Sequence, residues 1–327
     1  MREIRYLSVA AEGPAIRALQ ADTDATYLAG GTSLLDLMKL EVLNFAQLVD
    51  VNAIPLTKIE VSNDGARIGS MVRNSDLALH PEIAARYPLL SEALLSGASP
   101  QIRNMATVGG NLLQRTRCYY YRDPSTACNK RNPGSGCAAI DGYNRNHAIL
   151  GTSDHCIATH ASDMCVALAA LDAVVHTQGP GGERHIPFAE FHRLPGDHPE
   201  IESVLQHGEL ITAVSLPPPT GLRQSRYLKI RDRASYAFAL SAVAAALRIE
   251  GNLIRGARIA LGGVGTKPWR AVEAEQALVG KPANRATFTL AAAETVRGAR
   301  TRPHNAFKVE LTRRAVVRAL STIRGAS

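Results

Sequence analysis

Four cysteines in one irregular stretch give this sequence of 327 residues its clearest chemical signal. Cys118, Cys128, Cys137 and Cys156 are spaced by 10, 9 and 19 residues. Thiolates bind both zinc and iron–sulfur clusters, but structural zinc sites usually pair their cysteines about two to four residues apart. The residues alone therefore leave three interpretations open: an iron–sulfur cluster, a zinc site and unligated thiols.

The surroundings of these cysteines suit thiolate chemistry. Five basic residues would favour the thiolate form and offset the charge of a cluster: Arg115, Arg117, Arg122, Lys130 and Arg131. Three histidines could each replace a cysteine ligand, although loop histidines without a metal are commoner: His147, His155 and His160. The fifth cysteine, Cys165, falls in an apolar helical pattern and is expected to be a small buried residue. An odd cysteine count without a secretion signal argues against a disulfide framework.

Two glycine pairs are candidates for holding a phosphate-containing ligand. The first lies in segment 29–34, between a predicted strand at 25–29 and a predicted helix at 34–40. Backbone N–H groups and a helix N-terminus at such a turn favour an anion. The second lies in segment 106–111, where small hydroxyl and amide side chains suit hydrogen bonds to a diphosphate or ribityl chain. Neither pair matches the P-loop or the dinucleotide fingerprint, so a purely structural turn stays open for both.

Ser162 and Asp163 precede a predicted apolar helix at 164–171. They could cap that helix, or they could accept hydrogen bonds from ribose or ribityl hydroxyls. No G-x-S-x-G or H-E-x-x-H segment occurs, and no nucleophile–base pair is evident.

Three segments together resemble the FAD-binding subunits of the molybdenum hydroxylases: AGGTSLLDLMKL at 29–40, ATVGGN at 106–111 and SD at 162–163. That family includes xanthine dehydrogenase, carbon monoxide dehydrogenase and aldehyde oxidoreductases, and the resemblance covers nearly the whole chain. Asn111 and Ser162 lie 51 positions apart, whereas most members cross this gap in a few residues. The intervening sequence resembles the flavin subunit of heterotrimeric, periplasmic-type aldehyde oxidoreductases, in which it carries a [4Fe–4S] cluster. The flavin subunit of 4-hydroxybenzoyl-CoA reductase has an analogous insertion.

The resemblance implies two cofactors, FAD and a [4Fe–4S] cluster. Asp163 would accept from FAD hydroxyls, and Lys229 would lie near the flavin ring, where a cation stabilises negative charge on the reduced form. The implied cluster ligands are Cys118, Cys128, Cys137 and Cys156. The implied FAD contacts are Thr26, Tyr27, Leu28, Ala29, Gly30, Gly31, Thr32, Ser33, Leu34, Thr107, Gly110, Asn111, Asp163 and Lys229.

The function implied by the resemblance is electron transfer within a molybdenum-dependent aldehyde oxidoreductase. A large partner subunit would hold the molybdenum cofactor, a small one would hold [2Fe–2S] clusters, and FAD in this chain would pass electrons to an external acceptor. The flavin subunit of a xanthine dehydrogenase or of a 4-hydroxybenzoyl-CoA reductase-like enzyme is the alternative within the family. A stand-alone flavin oxidase and a zinc-stabilised nucleic-acid-binding protein are the rivals outside it.

The length of 327 residues predicts about two domains, and the family resemblance implies an α+β fold for the elements that position these residues. The resemblance implies a two-subdomain FAD-binding domain of the PCMH type over 1–220, with the iron–sulfur insertion at about 112–158. It also implies a C-terminal sheet-and-helix domain over 221–327. Residues 1–220 carry 17 Lys and Arg against 23 Asp and Glu, whereas residues 221–327 carry 20 against 6. We expect the basic part to dock within a complex rather than to bind nucleic acid, because it has few aromatic residues for base stacking.

Localisation is ambiguous from the sequence. No apolar run approaches the roughly 20 residues of a membrane helix, and the first residues do not form a signal peptide. We expect no membrane association. The chain would be cytoplasmic, or periplasmic by co-export with a partner that carries a signal.

Overall fold

A computed structural model describes residues 3–219 and 224–325 of the chain, and it has the expected α+β architecture. Its strands form three separate sheets, and helices pack between and around them. The predicted domain boundary at 220/221 lies outside the described residues, so its position stays a prediction.

The N-terminal sheet is small and parallel. Its strands run in the order β1-β3-β2, so the predicted strand–helix–strand unit around the first glycine pair is confirmed. Ser33 stands at the N-cap of the helix in that unit, but its side chain makes no capping hydrogen bond. The elements are β1 (Arg5–Ser8), α1 (Glu12–Ala21), β2 (Ala25–Leu28), α2 (Leu34–Lys39) and β3 (Gln47–Asp50).

The second sheet is antiparallel and has five strands, in the order β4-β5-β8-β6-β7. Strand β5 ends at Gly69. After Gly69, Ser70 N donates to Thr212 O and Met71 N donates to Leu56 O, and the next helix begins at Asn74. The strands are β4 (Ile59–Ser62), β5 (Gly65–Gly69), β6 (Val174–Gly179), β7 (Gly182–Pro187) and β8 (Leu210–Leu216).

Helices connect β5 to β6 and form the main core with the second sheet. The apolar helix predicted near 164–171 is confirmed, and it packs against α5, β10 and β11. The helices are α3 (Asn74–Leu79), α4 (Pro81–Arg86), α5 (Pro88–Ser96), α6 (Pro100–Met105), α7 (Val108–Leu112), α8 (Tyr119–Arg122), α9 (Ala138–Asp141) and α10 (Asp163–Ala170). A further short helix, α11 (Phe188–Phe191), follows β7.

The C-terminal part is an antiparallel sheet in the order β12-β11-β10-β9, covered by helices. The central strand, β10, is rich in alanine. These small residues let α10 and α14 approach its two faces closely. The elements are β9 (Gln224–Ile230), β10 (Ser241–Glu250), β11 (Leu253–Gly262), β12 (Trp269–Arg270), α12 (Val272–Leu278), α13 (Arg285–Glu294) and α14 (Phe307–Gly325).

The insertion at 112–158 has little regular structure beyond α8 and α9, as its composition predicts. Side chains rather than a backbone ladder hold it together. Asn144 is fully buried and donates from Nδ2 to three carbonyl oxygens at 3.1–3.3 Å. Arg131 likewise donates to the carbonyl oxygens of Tyr120 and Tyr121. This bonding compensates for the missing strands and helices.

Candidate functional site

A cavity of about 1140 Å³ lies where the N-terminal sheet, the helices after β5, strand β9 and the insertion meet. This volume is larger than the roughly 300–1,000 Å³ of common small-molecule pockets and suits a dinucleotide. Of the predicted FAD contacts, Leu28 does not line the cavity. The others do: Thr26, Tyr27, Ala29, Gly30, Gly31, Thr32, Ser33, Leu34, Thr107, Gly110, Asn111, Asp163 and Lys229.

The first glycine loop presents unused backbone donors to this cavity. The N–H groups of Gly30, Gly31, Thr32 and Ser33 have no acceptor among residues 3–219 and 224–325. Gly31 has a φ of 70°, which favours glycine. A Cβ at Gly30 would collide with the carbonyl oxygen of Met105. Helix α2 is only six residues long, so the donors of the loop matter more than a helix dipole.

The second glycine pair lies across the cavity at the start of α7. Thr107 caps this helix by accepting from Gly110 N at 3.2 Å, and Gly109 packs against Ser70. Asn111 Oδ1 accepts from Ser162 Oγ at 2.6 Å. Its Nδ2 group has no acceptor within the described parts of the chain, which leaves a donor for a ligand.

Asp163 and Lys229 form an ion pair at the wall of the cavity. Lys229 Nζ lies 2.8 Å from Asp163 Oδ2, and the two side chains are only 4% and 10% exposed. Lys229 also donates to the carbonyl oxygen of Ser96 at 3.1 Å. Tyr227 donates to Asp163 Oδ1 at 2.7 Å, and burial raises the pKa of this tyrosine well above its ordinary value. Both carboxylate oxygens are thus engaged, and each keeps only one lone pair for a cofactor hydroxyl.

Ser162 has both of the roles that its sequence position left open. Its Oγ accepts from Cys165 N at 3.0 Å and so caps α10. The same hydroxyl donates to Asn111, so it joins α10 to the second glycine pair. This hydrogen bond holds two segments with predicted FAD contacts together on one wall of the cavity.

The four cysteines of the insertion are brought together. Burial raises the pKa of Cys118 to about 12 and of Cys156 to about 11, and the neighbouring Cys128 raises both further. Burial also raises the pKa of Cys137, again with a contribution from Cys128. Cys128 and Cys137 pair through a backbone bridge. Cys165 is fully buried in α10, as expected.

The spacing of the sulfurs separates a single metal ion from a larger cluster. Four sulfurs around one zinc would lie within about 3.8 Å of each other, given Zn–S bonds near 2.3 Å. Among the described residues, no three of these four sulfurs lie within 4.8 Å of one another. Backbone N–H groups donate to Cys118, Cys137 and Cys156 and lower their pKa values. The sulfurs as placed are therefore farther apart than the thiolates of a single zinc ion would be.

Among the described residues, His147 is the candidate histidine within hydrogen-bond distance of one of the four insertion cysteines, whereas His160 lies within 4.8 Å of the fifth, Cys165. His147 Nε2 lies 3.1 Å from Cys118 Sγ. Burial lowers the pKa of His147 to about 4, so the ring is neutral at pH 7. His155 is half exposed beside Asp197, and His160 pairs with His192 at 3.2 Å between their Nε2 atoms.

Two family models cover the described chain almost completely. The FAD binding domain of molybdopterin dehydrogenase matches residues 2–219. The chain belongs to the FAD-binding subunits of the molybdenum hydroxylase family. The model for the C-terminal domain of the carbon monoxide dehydrogenase flavoprotein matches residues 226–323. The flavin subunit therefore binds FAD and is part of an oxidoreductase.

Relatives of this flavin subunit match it along most of its length. The aldehyde oxidoreductase FAD-binding subunit PaoB of Escherichia coli K12 is 49% identical and covers 99% of both chains. The glyceraldehyde dehydrogenase medium chain of Sulfolobus acidocaldarius is 28% identical over 86% of this chain and 83% of its own. Carbon monoxide dehydrogenase from Hydrogenophaga pseudoflava matches in structure with a TM-score of 0.78 and 26% identity, covering 99% and 98% of the two chains.

The structure places four of the five basic residues of the insertion beside carboxylates. Arg117 and Arg122 pair with Asp36 of α2, and Arg115 and Lys130 pair with Glu202. These four cations line the flavin cavity. Lys130 lowers the pKa of Cys156. The role of all five cations beside the thiolates stays a prediction, and the structure adds that four of them are paired with carboxylates.

Sequence reasoning missed Tyr227 and His192 as parts of the site. Tyr227 lies two residues before Lys229 on β9, so strand periodicity puts both on one face. That spacing was a usable signal. His192 comes from the segment after α11, far along the chain, and only the fold brings it to His160. In the described residues, no helix is long and apolar enough to span a membrane.

Proposed function

We propose that this flavin subunit is the electron-transfer subunit of a molybdenum-dependent aldehyde oxidoreductase. It would pass electrons from [2Fe–2S] clusters of a small partner subunit to FAD and on to an external acceptor. Aldehyde oxidation itself would take place at the molybdenum cofactor of a large partner subunit. The full-length identity of 49% to an aldehyde oxidoreductase subunit favours this substrate class. The xanthine dehydrogenase subunit XdhB of Escherichia coli K12 is only 27% identical.

The observation that carries this proposal is the cavity with its unused donors. The free N–H groups of Gly30 to Ser33 would bind the FAD diphosphate, and Thr107, Gly110 and Asn111 would hold the cofactor from the opposite side. FAD supplies reversible transfer of electrons between a two-electron and a one-electron partner. Water is excluded from the wall at Asp163 and Lys229, since both side chains are almost fully buried.

Lys229 and Asp163 would set the electrostatics at this wall. Asp163 neutralises the charge of the Lys229 ammonium group. Ser96 accepts a hydrogen bond from Lys229, and Tyr227 donates one to Asp163, so both partners are held in place. The amine keeps one hydrogen for a ligand, because two of its three donors are in use. The pair can therefore orient a polar group of the cofactor without adding net charge.

We further propose that Cys118, Cys128, Cys137 and Cys156 bind a [4Fe–4S] cluster. The support is their shared location, their sulfur spacing and the N–H groups that donate to three of them. A [4Fe–4S] cluster supplies one-electron transfer at a potential set by its surroundings. The protein would release thiol protons when the ligands bind iron, because burial keeps the free thiols protonated.

The remaining assignments follow from the same family comparison. We propose an FAD-binding domain over 1–220 and a C-terminal domain over 221–327, which docks on the partner subunits. The proposal includes no nucleic acid and no membrane as a partner. The complex would lie in the periplasm if a partner carries an export signal, and in the cytoplasm otherwise.

Cofactor content and activity of the purified complex test the proposal. Anaerobic preparations of this chain should contain about one FAD and about four irons. The complex with both partners should reduce an artificial acceptor when aldehyde is added, and the chain alone should not. Aldehyde turnover by the chain alone would replace the proposal with a stand-alone flavin oxidase. An iron-free, colourless chain from cofactor-replete cells would refute it.

A further inference from the structure

Helix α8 of the insertion touches both candidate cofactor regions. It begins after Cys118, which stands at its N-cap, and it ends at Arg122. Arg122 forms a bidentate ion pair with Asp36 of α2, at 2.8 Å from Nη1 to Oδ2 and 3.1 Å from Nη2 to Oδ1. Asp36 lies two residues after the last predicted diphosphate contact, Leu34. Arg122, which pairs with the helix supporting the diphosphate loop, thus follows a proposed cluster ligand by only four positions.

A small hydrophobic core provides a second connection between α8 and α2. Leu37 of α2 and Tyr121 of α8 are each 1% exposed and belong to the same buried cluster. That cluster also contains Cys128, with Cys118 packed against it. One face of α2 therefore packs against the cysteine site, while Asp36 on the same helix is held by Arg122.

The charges at this wall match the requirements of a diphosphate. A lone Asp36 carboxylate near the loop would repel an anion, but Arg117 and Arg122 both pair with it. Hydrogen bonding from Arg122 is the main effect that holds the pKa of Asp36 below its ordinary value, so this carboxylate stays charged and paired. Two cations against one carboxylate leave an excess positive charge at the cavity wall. Arg117 also lies over the Phe238 ring, at 5.1 Å, and this ring lines the cavity as well.

We propose that the insertion is a structural wall of the FAD site, so that cluster occupancy and FAD binding are coupled through α8 and α2. Iron binding to Cys118 and Cys128 fixes α8, and Arg122 then holds α2 and its glycine loop in the FAD-binding position. Arg122 is a positioning residue, because it acts through Asp36. This inference rests on the proposed FAD and cluster sites. By reciprocity, bound FAD should also protect the cluster.

The first experiment compares FAD affinity in cluster-loaded and iron-stripped protein. The full chain is deflavinated, part of it is stripped of iron with a chelator, and both forms are titrated with FAD while flavin fluorescence is recorded. We expect stripping to weaken binding by about tenfold, the size expected for losing one charge-assisted ion pair. Equal FAD dissociation constants in the two forms would overturn the coupling, although both cofactors would still be present as proposed.

The second experiment removes the connection itself. Arg122→Met should weaken FAD binding by about tenfold while iron content stays unchanged, and stripping iron should then have no further effect. FAD should also no longer slow the loss of iron to the chelator. A purely structural role would lower the thermal midpoint of the flavin-free protein but keep the dependence of FAD affinity on iron, and that result would contradict the proposal.

Arg145→Met is the matched control. Arg145 also belongs to the insertion, pairs with Asp232 at 2.7 Å and lies over the Phe307 ring, but it does not line the cavity. Its replacement removes one charge and one ion pair and should leave FAD affinity and iron content unchanged. If the wild-type chain binds FAD but never holds iron, the proposed cluster and its coupling both fail. The FAD affinity of Arg122→Met then decides whether the insertion contributes to FAD binding without a cluster.

Discussion

The flavin cavity and the cysteine insertion border each other, but they are built in different ways. The cavity is formed by the ends of regular elements: Gly30 follows the end of β2, and Thr107 caps α7 and accepts from Asn111 N at 2.8 Å. The insertion has two four-residue helices, and buried side chains such as Asn144 hold its loops. A site made from element ends is rigid before its ligand arrives, whereas a loop with buried thiols gains much of its order from the metal.

The difference also concerns charge. In the flavin region, the buried Lys229 has its counterion, Asp163, within the protein. In the insertion, burial keeps Cys118 and Cys156 as neutral thiols, so negative charge there would arise only when the proposed cluster binds. The flavin region should therefore keep its structure without FAD, whereas the insertion should lose order without its metal. Four predictions test this contrast.

The largest effect should come from Cys128→Ser. The Cys128 thiol influences the pKa values of the other three proposed ligands, so it lies at the centre of the set. We expect complete loss of the cluster, so that about four irons per chain are missing from the variant. Iron and acid-labile sulfide analysis of anaerobic protein measures this. Cys165→Ser is the control and should keep its iron, because Cys165 is held in α10. Iron loss in the control and not in Cys128→Ser would reverse the ligand assignment.

Lys229→Met should cost the flavin region about 3–5 kcal/mol of unfolding free energy, because the Asp163 carboxylate would remain buried without its counterion. Urea denaturation of flavin-free protein measures the loss. The double variant with Asp163→Asn should recover most of it. Arg226→Met on the same strand breaks the half-exposed ion pair with Glu92, and it should cost less than about 1 kcal/mol. Equal losses of unfolding free energy in the two single variants would mean that the buried pair stabilises this region no more than the half-exposed pair does.

Gly30→Ala should affect FAD binding through the backbone alone. Its Cβ would meet the Met105 carbonyl, so the two loops must separate, at a cost of about 1–3 kcal/mol. FAD affinity should fall by about 10- to 100-fold in fluorescence titrations. Gly181→Ala is the matched control, because a Cβ there meets no atom within 4 Å. Wild-type affinity in Gly30→Ala would show that the loop adapts to its ligand and is not rigid in advance.

The same contrast explains what the sequence could and could not predict. The loop around Gly30 was predictable because a strand, a glycine pair and a helix follow one another locally. The cysteine positions were visible as residue types, but their approach depends on a loop without periodicity. The partners of Arg117 and Arg122 were not predictable, since Asp36 lies more than 80 residues away in the chain. The FAD contacts themselves stay predictions of the family resemblance.

The smallest effect should be a change of unfolding free energy with pH, and it should arise at the junction, which is the place where His160 and His192 lie between the flavin region and the insertion. His160 lies between Cys156 and Asp163 along the chain, and its partner His192 lies 3.0 Å from the carbonyl oxygen of Leu112. Burial lowers the pKa of His192 to about 4, below its ordinary 6.5. The folded state therefore binds fewer protons than the unfolded state between these values. This histidine's contribution is complete above pH 6.5 and is lost as pH falls towards 4, at about 1.4 kcal/mol per pH unit.

His192→Gln should remove this contribution to the pH dependence. Urea denaturation of flavin-free protein at about pH 7, 6 and 5 should show a shallower decline than the wild type, because glutamine does not titrate. His198→Gln, on a side chain that is 69% exposed, should leave the wild-type slope unchanged. An unaltered slope in His192→Gln would mean that the ring is protonated in the folded protein. The junction would then resemble the insertion, whose charges depend on what it binds, rather than the flavin region, whose charges are already paired.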